Sequence, residues 1–78
     1  MDSTKSPEAI LKEELLDELR RYGLNAIISD VKIYRDGQTI SVRWWEKTTT
    51  PEIVDHIRQV MLNYLMKQYP GWTIDINF

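Results

Sequence analysis

His56 is the only histidine of the chain, and Glu52 stands four residues before it. Positions i and i+4 share one face of a helix, so the imidazole and the carboxylate could together grip a metal ion. A zinc site needs at least a third protein ligand, and groups that orient the ligands it has. Asp55 adjoins His56 in sequence but points to another side of the helix, so the pair reads as solvated polar surface. Ser29 or Ser41 with His56 and an aspartate would supply the parts of a hydrolytic triad, yet no strained nucleophile turn surrounds either serine. Glu13, Glu14, Asp17 and Glu18 offer paired carboxylates for acid–base work; a charged outer helix face explains them better. Asp36-Gly37 is accounted for by a hairpin turn. The expectation is a protein with no catalytic residue, no metal and no cofactor.

The composition narrows the class further. The chain has 78 residues, enough for one small domain. Such a domain buries about 60–65% of the surface that its unfolded chain exposes, so its stability is modest. With 42% apolar and 28% charged residues it belongs with globular chains rather than disordered ones. A net charge of −2 argues against a nucleic-acid binder that relies on bulk positive charge. The absence of cysteine rules out disulfides, thiolate metal sites and cysteine nucleophiles. The first residues carry no apolar signal core and no stretch approaches a membrane span, so the cytoplasm is the expected location and no membrane is expected as a partner.

Residues 1–5 read as a flexible polar tail and residues 6–78 as a single α+β domain. Ser6-Pro7-Glu8 gives a helix start, with Ser as N-cap, Pro at the first helical position and an acid in the first turn. Leu11, Leu15, Leu19 and Tyr22 follow as one apolar stripe. Asp17 and Arg21 can pair across one turn, and Gly23 suits the position just past the helix end. Thr50-Pro51-Glu52 repeats the start signal for a second helix. Ile53, Val54, Ile57, Val60, Met61, Tyr64 and Leu65 form its apolar arc, and Leu62, Met66 and Tyr69 form a flank read as further core beside the first helix. Pro70-Gly71 ends that helix. Trp72, Ile74, Ile76 and Phe78 then alternate with polar residues as in a half-buried strand.

Between the helices, Asn25 to Trp45 reads as a β-hairpin turning on Asp36-Gly37, the pair favoured in two-residue type I′ loops. That turn sets a register in which Ile33 faces Ile40, Val31 faces Val42, Asp30 meets Arg43 and Ile28 meets Trp45. Apolar pairs then share one face and an opposite-charge pair lies on the other. Trp44 joins Val31, Ile33, Ile40 and Val42 inside. Trp45, its immediate neighbour, must point outward. The order α-β-β-α-β predicts a two-layer α/β sandwich, a three-stranded sheet with both helices on one face. The last strand lies either parallel to the second strand, through a right-handed crossover, or beside the first.

The segments Asp30-Val31-Lys32-Ile33-Tyr34-Arg35-Asp36-Gly37, Thr48-Thr49-Thr50-Pro51 and Pro70-Gly71 are similar in layout to the MIP18-type domain. The element order also resembles the NifU C-terminal domain; both are scaffold domains of iron–sulfur assembly. The resemblance covers most of the chain but rests on turn and cap residues. It implies the α/β fold alone, because the cluster-binding cysteines expected just before the second helix are absent. Type II KH domains share a similar order, but their Gly-x-x-Gly loop is missing as well. Such likenesses guide fold better than function.

The outer sheet face then carries the functional expectation. Ile28, Lys32, Tyr34, Arg43 and Trp45 converge there, with Asp30, Thr73 and Asp75 among them. Trp, Tyr and Arg are the usual anchors of protein interfaces, and an uncovered apolar pair in a small domain marks a binding patch. The expectation is a protein-interaction module that docks a partner or forms a homodimer. The alternative is single-stranded nucleic acid, with Tyr34 and Trp45 stacking bases and Lys32 and Arg43 meeting phosphates.

Overall fold

The computed structural model describes residues 6–47 and 50–77, in the order α1 (Pro7–Arg21), β1 (Ile27–Tyr34), β2 (Thr39–Trp45), α2 (Pro51–Gln68) and β3 (Thr73–Asn77). The expected tail at residues 1–5, Thr48-Thr49 before α2 and Phe78 at the end of β3 lie outside the described residues. The chain forms the α+β sandwich that its patterning implies: two helices pack on a three-stranded mixed sheet. The strand order is β1-β2-β3, with β1 antiparallel to β2 and β3 parallel to β2. Of the two expected placements for the last strand, the one beside β2 is realised.

Local signals set the helix ends. Ser6 Oγ accepts a hydrogen bond from the Ala9 N–H at 3.2 Å, satisfying one of the first-turn donors that have no helical acceptor. At the other end Gly23 adopts φ 71°, while its N–H donates to Arg20 O and the Leu24 N–H donates to Leu19 O. This is the double closure of a Schellman motif, which requires the left-handed conformation that glycine adopts at least cost. Thr50 precedes Pro51 as expected but makes no side-chain cap bond to α2. The anticipated Asp17–Arg21 pair is not formed. Asp17 instead meets Arg20 at 2.9 Å and Glu18 meets Arg21 at 4.0 Å, both one residue closer.

The hairpin differs from expectation at both ends. A type I′ turn requires positive φ at Asp36 and Gly37, but the positive φ in this loop belongs to Gln38, at 48°. The Gln38 N–H donates to Arg35 O at 3.2 Å, which makes residues 35–38 a four-residue loop. Two-residue and four-residue loops share a centre here, so the register survives: Tyr34 pairs with Thr39, Ile33 with Ile40, Val31 with Val42 and Asp30 with Arg43. At the open end it shifts by one, because a bulge at Ser29 pairs Ile28 with Trp44 and Ile27 with Trp45. Two residues of β1 now stand where a regular ladder holds one, and the upstream strand changes face.

The bulge corrects one residue of the expected face. Ile28 is only 2% exposed and packs in the core, while Ile27 takes the outward place beside Trp45. The core lies between the layers. Leu11, Leu15 and Leu19 of α1 and Ile57, Val60, Met61 and Leu65 of α2 close over Ile28, Val31, Ile40, Val42 and Trp44. Ile33, Ile74 and Ile76 pack against this group while half-buried. Helix α1 lies on β1, α2 on β3, and the helices touch each other, so both roof the central strand. The Leu62–Met66–Tyr69 flank divides: Tyr69 packs on the core and on the Trp72 ring, with centroids 5.2 Å apart, while Met66 is exposed.

Candidate functional site

Among the described residues, His56 and the two serines lie in separate places, on α2, β1 and β2. Among the described residues, no three His, Asp or Glu side chains lie close enough to hold a metal ion. His56 is exposed on α2, where its ring meets Tyr22 edge-on with centroids 6.4 Å apart. Ser41 lies on the outer side of the sheet, across from Lys32 and Asp75, whereas α2 packs on the inner side. The core therefore separates that serine from His56. Ser29 occupies the bulge and is exposed.

The acids of α1 make structural contacts instead. Tyr64 Oη donates to Glu14 at 3.1 Å and ties α2 to α1. Its phenol is raised above the ordinary range by burial, and further by that hydrogen bond and by the negative charge of Glu14 and Glu18. Glu18, Tyr22, His56, Asn63, Tyr64 and Lys67 line part of a groove along the outside of the helix pair.

The outer sheet face is built from four rows of side chains, read directly from the register. At one end Ile27 stands beside Trp45. Next comes Asp30–Arg43–Asn77, then Lys32–Ser41–Asp75, and at the hairpin end Tyr34–Thr39–Thr73. Strand alternation places every one of these on the side opposite the helices. The large apolar groups at the two ends are open to solvent: Ile27 is 46% exposed, Trp45 44% and Tyr34 51%. Between them Asp30, Lys32, Tyr34, Ser41, Arg43 and Asn77 line a shallow concavity.

Four of the five expected interaction residues thus share this face: Lys32, Tyr34, Arg43 and Trp45. The fifth, Ile28, is replaced by Ile27. Asp30 faces Arg43 in register as expected, but its carboxylate approaches the Lys32 ammonium, at 4.0 Å. Asn77, on the same side as Thr73 and Asp75 by alternation, pairs with Arg43 across the parallel ladder and donates through its amide to Asp75 at 3.2 Å.

Ile27 was detectable from sequence. A regular ladder turns Ser29 into the core opposite Trp44 and leaves Ile28 outside. A polar residue pointing inward beside an isoleucine pointing outward is the pattern that one extra residue repairs. A second concavity, at the bulged end, is lined by Asn25, Ala26, Ile27, Glu46 and Lys47. No helix among the described residues is long and apolar enough to cross a membrane. No protein-family model, curated protein or solved structure matches the chain.

Proposed function

We propose that the chain is a small, non-enzymatic protein-interaction module that docks through its outer sheet face. One observation carries this reading: Ile27 and Trp45 stand side by side, both nearly half exposed, on a sheet face that neither helix covers. A solvated β-face ordinarily presents polar residues, and exposed aromatic anchors beside Arg are what interfaces use. The charges point to a partner without strong net charge, since Asp30 and Asp75 offset Lys32 and Arg43 within one face. A second copy meets that condition and needs only one self-complementary patch.

Single-stranded nucleic acid is the second reading, favoured by Tyr34 and Trp45 flanking Lys32 and Arg43 on one surface. The carboxylate of Asp30, 4.0 Å from Lys32, weakens it by occupying the cation that a phosphate would need. Sedimentation velocity over a wide concentration range, on wild type and Trp45→Ser, tests the proposal. The expected result is reversible self-association that the substitution removes. A wild-type monomer at every concentration, together with oligonucleotide binding that falls steeply with salt, would replace it with the second reading.

A further inference from the structure

Resting on the docking role of the outer face, we infer that its occupant is a second copy, related by a two-fold axis running across the strands. The axis passes between the Asp30–Arg43–Asn77 row and the Lys32–Ser41–Asp75 row. Two sheets that meet face to face in an aligned packing keep their strands within about 30° of each other, and a closed dimer then has two axes available in the plane of contact. An axis along β2 keeps each row over its own copy. It stacks Arg43 on the partner's Arg43 and sets β1 over the partner's β3. An axis across the strands keeps each strand over its own copy and reverses the rows. Asp30 then faces the partner's Lys32, Lys32 faces the partner's Asp30, and Asn77 faces the partner's Asp75.

The ends are also matched by the second arrangement. Ile27 meets the partner's Tyr34, and Trp45 lies over the partner's Thr39 with that tyrosine beside it. Each exposed apolar group is covered, and each carboxylate of β1 meets an ammonium. Asp30 and Lys32 are already 4.0 Å apart within one protomer, so the dimer closes a ring of four alternating charges around the axis. The Asp30 and Lys32 charges, which disfavour a nucleic acid, become complementary once the rows are reversed, while Arg43 faces the partner's Ser41.

The size of the face sets the strength. Three strands about 4.8 Å apart and about seven residues long at roughly 3.3 Å each cover roughly 15 by 23 Å. The face is small beside the partners of standard stable interfaces, which bury ~800 Å² of accessible surface each, so association is measured up to high concentration.

The test is sedimentation equilibrium on the full chain from about 1 µM to 1 mM, with Asp30→Lys, Lys32→Asp, an equimolar mixture of the two, and Lys67→Glu on α2 as a charge control away from the face. Both β1 positions are more than half exposed, and far-UV circular dichroism checks that the variants fold. Each single reversal is expected to weaken association at least tenfold, because it sets like charges opposite each other twice. The mixture is expected to associate within about threefold of wild type, since the lysine introduced in one variant then faces the aspartate introduced in the other. Lys67→Glu is expected to leave association unchanged. If wild type associates and Trp45→Ser dissociates it while neither reversal has an effect, the axis is wrong and the docking face stands. A wild-type monomer throughout the range overturns the second-copy inference and leaves the outer face to a different partner.

Discussion

Replacing Ile27 and Ile28 separately by alanine tests the bulge at Ser29, on which the composition of the face depends. Ile28 is 2% exposed and lies beneath α1 in the core. Truncating a buried isoleucine to alanine costs about 2–5 kcal/mol. Ile27, almost half exposed on the outer face, should cost about 1 kcal/mol or less. A domain of this length has a total stability of about 4–12 kcal/mol, so Ile28→Ala removes a large share of it. With a urea slope of about 1 kcal/mol/M for so small a domain, the midpoint should fall by about 2 M or more for Ile28→Ala and by under about 1 M for Ile27→Ala. Far-UV circular dichroism is the suitable probe. The two tryptophans repeat the experiment on the partner strand, with Trp44→Ala costing about 3–5 kcal/mol and Trp45→Ala about 1 kcal/mol or less. A regular ladder reverses the isoleucine pair and leaves the tryptophan pair unchanged. Losses at Ile27 that exceed those at Ile28 would therefore refute the bulge specifically.

Deleting Ser29 should regularise the ladder while keeping Ile28 inside and Ile27 outside, so stability in urea should change by about 1 kcal/mol or less; a loss of several kcal/mol would show that the bulge itself is required. Gly23→Ala should lower stability by about 1 kcal/mol through backbone strain alone, since φ is 71° and an added Cβ meets nothing within 4 Å. Gln38→Gly, at φ 48°, should raise the thermal midpoint by relieving strain of the same kind. Ser6→Ala should cost about 1 kcal/mol and Thr50→Ala only a few tenths, because only Ser6 makes a side-chain cap bond. Tyr64 is held neutral by burial and by Glu14, so its folded pKa lies above the unfolded one. The associated stability is fully present below about pH 10 and is lost as pH rises through the folded value. Urea midpoints at pH 8 and pH 11 should therefore differ more for wild type than for Tyr64→Phe.

The elements and their layering were legible because each is specified locally and redundantly. Ser6-Pro7 and Thr50-Pro51 mark helix starts, Gly23 and Pro70-Gly71 mark ends, and β3 alternates through Ile74 and Ile76. The register near the hairpin was legible for a less secure reason. The expected two-residue turn is in fact a four-residue loop with Gln38 in the left-handed region, and the pairing survived because both loops have the same centre. Turn composition identifies where a chain reverses, but the loop type is set by which residue takes positive φ. Here tertiary structure placed that demand on Gln38, whose carbonyl also accepts the Thr73 N–H at 2.9 Å, joining the loop to the start of β3.

The open end of the hairpin shows why the site was harder to read than the fold. Register derived from a turn propagates outward one residue at a time, and a single extra residue inverts everything beyond it. Core packing resisted that inversion: the site opposite Trp44 needed an apolar side chain, and Ile28 supplied it once Ser29 was extruded. The exchange fixed the outer face as well, since an isoleucine stands beside Trp45 in either register. What changes is the reason for its exposure. In a regular ladder, an outward Ile28 would be a hydrophobic group misplaced while a serine entered the core. In the bulged strand the core is already satisfied, and Ile27 remains outside with no internal site left to fill. Consecutive isoleucines at 27 and 28 thus serve the two faces separately, as do the consecutive tryptophans opposite them. The inner pair is explained by the fold, and the outer pair is what the proposed docking role rests on.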